Sequence, residues 1–322
     1  MRALRYDRYG PPDVLALVEI DEPVPRAGEL KVRVAAASLN PLDVKVRAGH
    51  ARYVPMFERP PRGTGVDFAG EVVGTGGGDV GGRYPGVRVF GAISPFRRAG
   101  TFAEYVCVAS REVATTPSTL GDEQAAALPV AAGTAVQALT DEAHLAPGMR
   151  VLVNGAAGGV GHYAVQYARH LGAHVTATCG PDNVAFVREL GADDVLDYTR
   201  ESYASAATPF DVIFDTTGHA SWRDARRVLA PEGVFVNTSP DTASVLRTLG
   251  EKVAARLSGR QRVVAFVLRP GAEAWRRLAK LADARALVPH VRETIGLADV
   301  AEAERRMETG HGRGKIVVLP FR

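Results

Sequence analysis

The stretch that decides the fold is Val151-Leu-Val-Asn-Gly-Ala-Ala-Gly-Gly-Val-Gly161, followed at once by His162-Tyr-Ala-Val-Gln-Tyr-Ala-Arg-His-Leu-Gly172. It reads as a buried strand, a glycine-rich turn and an amphipathic helix. Val160, Ala164, Ala168 and Leu171 recur at helical spacing, so the helix can lie on a sheet. His174–Cys179 then supplies a second strand and completes a βαβ unit. The order suits a phosphate, because glycines let the backbone approach an anion and a helix N-terminus offers unpaired N–H groups with partial positive charge. A glycine pattern alone says little; the strand–turn–helix–strand context gives it weight. The alternative is a glycine-rich loop with no ligand.

The whole chain sets the bounds. Its 322 residues can bury a large core, and at about 150 residues per domain they suggest two domains. With 46% hydrophobic and 23% charged residues the composition is that of an ordinary globular protein, and the net charge is only +3. Lys and Arg are scattered among Asp and Glu, which argues against a nucleic-acid surface. The basic segment from Lys252 to Arg262 fits a solvated helix face. Cys107 and Cys179 lie far apart, each in strand-like sequence, so neither a disulfide framework nor a cysteine-rich zinc site can be built from them. They suit a reducing compartment, and a cytoplasmic protein is expected. Met1-Arg-Ala-Leu-Arg-Tyr-Asp7 has no signal-peptide apolar region. The apolar stretch Ala125–Leu139 is interrupted by Pro129, Gly133 and Gln137 and is too short for a bilayer, so no membrane association is expected.

Up to about Thr119 the chain is β-rich, with strand-like runs at Leu30–Ala36, Gly70–Val73, Arg88–Phe90 and Phe102–Val108 separated by Gly/Pro turns. After Gly121, helices alternate with strands. Helical sequence covers Asp122–His144, broken near Pro129, then Asn183–Leu190, Trp222–Leu229 and Ala243–Leu257. Strands are expected at Val195–Leu196, Val212–Phe214, Val234–Val236 and Val263–Val267. The alternation predicts an α/β fold, a doubly wound parallel sheet of Rossmann type beside a β-rich domain. A helix at Ala272–Asp283 and a strand at Lys315–Leu319 close the chain. Residues 1–121, 122–270 and 271–322 are the expected divisions, the last returning to the first domain, with the cleft between domains as the expected binding site.

Several motifs in order carry a family resemblance: Ala37-Ser-Leu-Asn-Pro-Leu-Asp43, Gly65-Val-Asp-Phe-Ala-Gly-Glu-Val-Val-Gly74, Gly100-Thr-Phe-Ala-Glu-Tyr105 and Ala126-Ala-Leu-Pro-Val-Ala-Ala-Gly-Thr-Ala135. The glycine turn, Phe210-Asp-Val-Ile-Phe-Asp-Thr-Thr-Gly218 and Gly310-His-Gly-Arg-Gly-Lys-Ile-Val-Val318 complete the set. Over nearly its full length the chain resembles the zinc-independent quinone oxidoreductases of the medium-chain dehydrogenase/reductases, the branch of the zeta-crystallin-like and reticulon-interacting oxidoreductases. The resemblance implies a GroES-like catalytic domain, a Rossmann domain and a homodimer formed through the latter. One departure lies in the turn: Ala156 stands where G-x-G-x-x-G has its first glycine. A methyl there is a small perturbation.

Zinc-dependent members of the superfamily carry a cysteine near the position of Asn40 and a His-Glu pair where this chain has Val66-Asp67. An Asn–Val pair cannot supply tetrahedral zinc ligands, so no metal is expected. For the nucleotide, the strand after the turn ends at Thr178-Cys179-Gly180 without the acid that holds ribose hydroxyls in NAD enzymes. Asp182 follows Pro181 and precedes a helix, where capping is favoured over ribose binding. Gly180 leaves room, Asn183 can donate to a phosphate, and the resemblance sets Tyr198 and Arg200 near the adenosine end. NADPH is expected. For Tyr198 and Arg200 the alternatives are a strand-end aromatic and a solvent-facing charge.

Along the dinucleotide, Gly155, Ala156, Ala157, Gly158, Gly159, Val160 and Gly161 are the expected phosphate cradle, with Cys179 at the next strand's tip. Thr134, read at a helix start, approaches the cofactor by resemblance, or else bonds local backbone. Thr216, Thr217 and Gly218, and Asn237, Thr238 and Ser239, follow presumed strands, at whose carboxyl ends ligands bind. Gly312, Arg313 and Lys315 resemble the family's cofactor-contacting tail, with an exposed basic turn as the alternative.

At the reacting end, Asn40 reads as a helix N-cap before Pro41, and by resemblance it also faces the nicotinamide. Lys45 is either an exposed lysine or, in a closed pocket, a proton donor. Tyr53 is a candidate hydrogen-bond donor to a substrate carbonyl, and Met56 and Phe57 a candidate apolar wall for a flat ring; loop packing is the alternative for all three. Without a metal, hydride addition to an electrophile is the natural chemistry. The sequence therefore predicts NADPH-dependent reduction of a quinone or α,β-unsaturated carbonyl. A biosynthetic enoyl reductase acting on a carrier-bound intermediate and an NADPH-binding structural or regulatory protein stand as alternatives.

Overall fold

The computed structural model describes residues 1–50, 52, 58–238, 250–256, 259–310 and 312–322. The chain divides into two units. One comprises Met1–Gly133, Arg269–Arg285 and Pro289–Arg322; the other comprises Thr134–Leu268 with Ala286–Val288.

The first unit is built around β3 (Glu29–Ser38), where Leu30, Val32, Val34 and Ala36 alternate into the interior. With β5 (Asp67–Thr75), β6 (Arg88–Ala92), β8 (Val113–Thr115), β15 (Val291–Gly296) and β16 (Lys315–Leu319) it forms a sheet in the order β15-β16-β3-β5-β6-β8. The first half of β3 also pairs with β7 (Tyr105–Ala109), and its last two residues pair with β16. The C-terminal strand thus lies beside the Ser38 end of β3. A smaller antiparallel sheet holds β1 (Arg2–Tyr6), β2 (Ala16–Glu19) and β4 (Arg62–Gly63). Phe68, Val89, Phe102 and Val106 fill the core with Leu297, Val300 and Ile316 from the chain's end. The strand expected over Phe102–Val108 begins at Tyr105; the Phe102 backbone pairs elsewhere, donating to the Thr64 carbonyl and accepting from the Leu4 N–H.

Helix α1 (Pro41–Arg47) leaves β3 directly and packs near α9 (Val300–Glu308). Arg47 is fully buried; its guanidinium pairs with Glu304 at 2.5 Å and Glu308 at 2.6 Å and donates to the Gly10 carbonyl. Helix α2 (Asp122–Ala126) stops before Pro129, which opens α3 (Pro129–Gln137) as an N-terminal proline should. A π-helical turn, Ala138–Glu142, prolongs α3. Among these, Asp122–Gly133 group with the β-rich unit, so the division falls inside α3 and not at Gly121.

The second unit is a six-stranded, all-parallel sheet in the order β11-β10-β9-β12-β13-β14. These are Asp194–Asp197, His174–Cys179, Arg150–Asn154, Phe210–Asp215, Leu229–Asn237 and Arg262–Ala265 respectively. Numbered within the unit, the order is 3-2-1-4-5-6, the doubly wound dinucleotide-binding arrangement, and the direction in which strands are added reverses between β9 and β12. Helices α4 (Gly161–His170), α5 (Val184–Glu189) and α6 (Trp222–Ala225) connect the strands. The helix expected over Trp222–Leu229 is cut to four residues because Leu229 already enters β13. Of the helix expected over Ala243–Leu257, residues 250–256 are helical (α7) and the rest lie outside the described residues. Helix α8 spans Ala272–Asp283, as its periodicity predicts, and belongs to the first unit, where the Trp275 indole donates to the Glu112 carbonyl.

Candidate active site

The glycine turn follows β9 at the point where the strand order reverses, beside the carboxyl end of β12, whose Asp215 pairs with Asn154. Gly155 takes φ +82°, and a Cβ there would meet the Thr216 and Thr217 side chains at 2.7 and 2.6 Å. Gly161 begins α4 so close to the turn that a Cβ would lie 2.1 Å from the Gly155 carbonyl oxygen. Ala156 needs neither concession. It is fully buried, outside the left-handed region, and its N–H donates to the Thr178 carbonyl at 2.9 Å. The positive φ falls one residue earlier, which is why the alanine is tolerated. Gly158 donates to the Gly155 carbonyl, while among the described residues the N–H groups of Ala157, Gly159, Val160 and Gly161 take no part in the turn's backbone pairing. Unspent N–H groups at a ten-residue helix's start fit a phosphate.

Three residues that sequence reasoning passed over hold this turn. Asn154, at the end of β9, accepts from the Thr178 hydroxyl at 2.6 Å and donates to Asp215 at 2.9 Å. The Thr178 hydroxyl oxygen accepts the Gly155 N–H at 3.2 Å. Asp215, fully buried at the end of β12, accepts from the N–H groups of Thr217 and Gly218 and from the Thr217 hydroxyl. The Thr216 hydroxyl donates to the Asn154 carbonyl at 2.8 Å. Thr216 and Thr217 are therefore committed by their side chains to the turn. Thr238 returns its N–H to the Asp215 carbonyl, and Asn237 ends β13 in the interior. Asp215 lay within a motif the sequence already displayed; what hid it was that its partners come from other strands.

At the β10–β11 edge, Gly180 follows Cys179, and a Cβ on Gly180 would be 3.2 Å from the Tyr198 hydroxyl. Tyr198 is 55% exposed and its N–H donates to the Cys179 carbonyl. Burial pushes the Cys179 thiol up to about 11, so it is an inert thiol at neutral pH. Arg200 is solvent-facing and lies 3.6 Å from Asp197. Asp197 ends β11, and hydrogen bonds from Thr199 hold its carboxyl below its ordinary value. Asp182 does not take the capping position expected of it: it is the middle residue of a 3-10 turn, Pro181–Asn183, with Gly180 before it and Asn183 preceding α5.

In the β-rich unit the carboxyl end of β3, the start of α1, β5 and β16 converge on a buried polar cluster. Asn40 does cap α1, but through its backbone: its N–H donates to Asp43 at 2.9 Å and its carbonyl accepts from the Asp43 N–H. Its side chain turns inward, the amide nitrogen donating to Asp67 at 2.9 Å and to the Ser38 carbonyl at 3.2 Å. Lys315, 3% exposed, donates to the Asn40 amide oxygen at 2.5 Å and to the Leu39 carbonyl at 3.0 Å, with Asp67 at 3.7 Å. Asp67 also accepts from the Ser38 hydroxyl and the Val130 N–H. Burial raises the Asp67 carboxyl and lowers the Lys315 ammonium, and the attraction between them opposes both shifts. Asp43 is raised well above the ordinary carboxyl range, chiefly by burial.

Lys315 is thus neither an exposed basic turn nor a solvent-facing cation; β16 carries it into the interior because β16 pairs with the end of β3. Gly312 and Arg313 lie just before β16, outside any helix or strand. Lys45 sits half-buried on α1. Thr134 is buried in the middle of α3, not at its start, because Pro129 begins that helix. Tyr53, Met56, Phe57 and Ser239 lie outside the described residues. Among the described residues no group of three or more His, Cys, Asp or Glu is placed to hold a metal ion. At the positions where zinc-dependent relatives keep ligands, Asn40 and Asp67 bond each other beside an ammonium, and that donor set does not fit a metal cation.

A parallel sheet in this order, with a glycine turn at its reversal point and a separate GroES-like unit, defines a dinucleotide-dependent dehydrogenase or reductase. Residues 26–118 match the alcohol dehydrogenase GroES-like domain, and residues 190–318 match the family described as zinc-binding dehydrogenase. The chain is 34% identical to the chloroplastic quinone-oxidoreductase homolog of Spinacia oleracea, covering 99% of this chain and 98% of that protein. It is 33% identical to the mitochondrial NAD(P)H oxidoreductase RTN4IP1 of Homo sapiens, covering 99% and 89%. The solved quinone oxidoreductase of Coxiella burnetii superposes with a TM-score of 0.89 at 32% identity, covering 99% of each chain. The chain belongs to the medium-chain dehydrogenase/reductase family, with the quinone oxidoreductases, and is an NAD(P)H-dependent oxidoreductase of a small-molecule substrate.

The cytoplasmic expectation is corrected: the relatives from Spinacia oleracea and Arabidopsis thaliana are named as chloroplast proteins and those from Danio rerio and Homo sapiens as mitochondrial ones. The two free cysteines do not identify a compartment. No helix among the described residues is long and apolar enough to cross a membrane.

Proposed function

We propose that the protein is a zinc-independent, NADPH-dependent reductase of quinones or α,β-unsaturated carbonyls. The observation that carries the reading is the tip of β10, where Cys179 and Gly180 bring no acid to hold ribose hydroxyls, the Tyr198 hydroxyl packs against Gly180, and Arg200 faces solvent nearby. Asp197, the acid on the neighbouring strand, is spent on Thr199. NADPH supplies the hydride. The turn from Gly155 to Gly161 would hold its pyrophosphate. Lys45 is the proposed proton donor among the described residues, and Asn40 shapes the start of the helix that carries it. Preorganised donors would stabilise the enolate or hydroquinone oxyanion that develops as hydride arrives, and the protein's part is orientation and exclusion of water. A homodimer formed through the parallel-sheet unit belongs to the same reading, with β14 as an open edge strand among the described residues.

The test is oxidation of NADPH and NADH followed at equal concentration against benzoquinones, naphthoquinones, enones and enoyl-CoA. Turnover of quinones or enones with preference for NADPH is expected. Equal or better use of NADH overturns the nucleotide assignment. Reduction confined to 2-enoyl thioesters identifies a biosynthetic enoyl reductase instead.

A further inference from the structure

We propose that Lys315 and Asp67 are positioning residues that lock the Asn40 side-chain amide in one orientation, and through it the first turn of the helix bearing Lys45. The inference rests on the reductase reading above. It assigns to Lys315 a role different from contact with the cofactor.

The amide of Asn40 has two donors and an acceptor in use: Asp67 and the Ser38 carbonyl receive the NH2, and Lys315 donates to the oxygen. Rotating the amide by half a turn would face its NH2 to an ammonium and its oxygen to a carboxylate. Both contacts would be repulsive in a dry interior, where electrostatic terms are strongest. The two charges therefore decide an orientation that packing alone would leave nearly degenerate, since the amide's oxygen and nitrogen are almost equal in size. Asn40 is also the N-cap residue of α1, which has seven residues and cannot hold its geometry as an isolated helix. Its anchors are the reciprocal Asn40–Asp43 backbone bonds and this side-chain lock. Lys315 is fixed by the Leu39 carbonyl as well, so it grips the residue before the cap and the cap itself. To reach a phosphate, the ammonium would have to leave the buried acceptors it now serves.

The experiment compares Lys315→Met, the double variant Lys315→Met/Asp67→Asn, and wild type as NADPH complexes. Lys315→Met alone strands a buried carboxylate and is expected to lower the melting temperature; the double variant removes that orphan charge and recovers it. Positioning predicts that kcat stays down by about tenfold or more in the double variant although its stability returns, with NADPH affinity within about threefold of wild type. Should stability and kcat recover together, the cluster is merely structural and the proposal fails. Loss of NADPH affinity by about tenfold or more at unchanged kcat makes Lys315 a cofactor ligand and also overturns it. If Lys315→Met does not fold, the double variant carries the comparison. A second readout needs no turnover: with asparagine-selective 15N labelling, the Asn40 NH2 should exchange slowly in wild type and fast in the double variant, and equal exchange rates refute the lock. Absent turnover in wild type with a protected Asn40 amide would sink the reductase reading and leave the lock standing.

Discussion

Replacing Gly161 with alanine tests the geometry of the dinucleotide turn most directly. The new Cβ would lie 2.1 Å from the Gly155 carbonyl oxygen and 2.7 and 2.9 Å from the Cα and carbonyl carbon of Ala156. All three are backbone atoms and cannot rotate aside. Comfortable C···O contact begins near about 3.3 Å, so the turn and the start of α4 must separate by about 1 Å. Overpacking of this kind costs about 1–3 kcal/mol. Were all of it taken from binding, NADPH affinity would fall by about 5- to 150-fold, at 1.4 kcal/mol per factor of ten. Partition between binding and folding is read by titrating NADPH against the variant by fluorescence and by thermal melts with and without the nucleotide. The control is Gly74→Ala, on β5 and outside the turn, whose Cβ would meet only the Lys31 Cβ at 3.8 Å. It should bind NADPH within about twofold of wild type. A Gly161→Ala protein indistinguishable from that control in affinity and melting would refute the close packing of turn against helix.

Other outcomes follow from the buried charges. Asp43 is pushed up by burial, so in the folded state its proton is favoured; the stability it contributes is full below its unfolded value near 4 and is lost as pH rises. Asp43→Asn should therefore gain stability relative to wild type as pH goes from about 4 to 7, and a relative loss on that rise would contradict the assignment. Glu304→Ala leaves Arg47 buried without its 2.5 Å partner. It should cost about 3 kcal/mol in urea unfolding, the low end for a broken buried pair, because Glu308 and the Gly10 carbonyl remain. Asp215→Ala removes the acceptor shared by Asn154, Thr217 and Gly218 and should weaken NADPH binding by about tenfold, measured by calorimetry. Finally, dialysis against a chelator should leave quinone turnover and melting unchanged; stoichiometric zinc by elemental analysis would overturn zinc independence.

Much of the fold is legible in residue order. Strand–turn–helix–strand periodicity around the glycines, and the alternation after Gly121, announce the parallel sheet because local hydrophobic spacing records which face each element buries. Ala272–Asp283 and Lys315–Leu319 carry that information to the residue. Shortened elements such as α6 mark places where tertiary pairing overrides local propensity, since β13 recruits Leu229.

The candidate site divides differently. Sequence alone determines the turn, the missing acid after β10 and the absence of a zinc-type ligand set at Asn40, Val66 and Asp67, because each depends on residue types at fixed local spacing. Only the tertiary structure brings Asn154, Thr178 and Asp215 together under the turn, or carries Lys315 some 275 residues along the chain to the Asn40 amide. Those contacts are set by strand pairing and by the need to satisfy every buried polar group. Hydrogen bonds between distant strands leave no periodicity in the sequence from which they could be read.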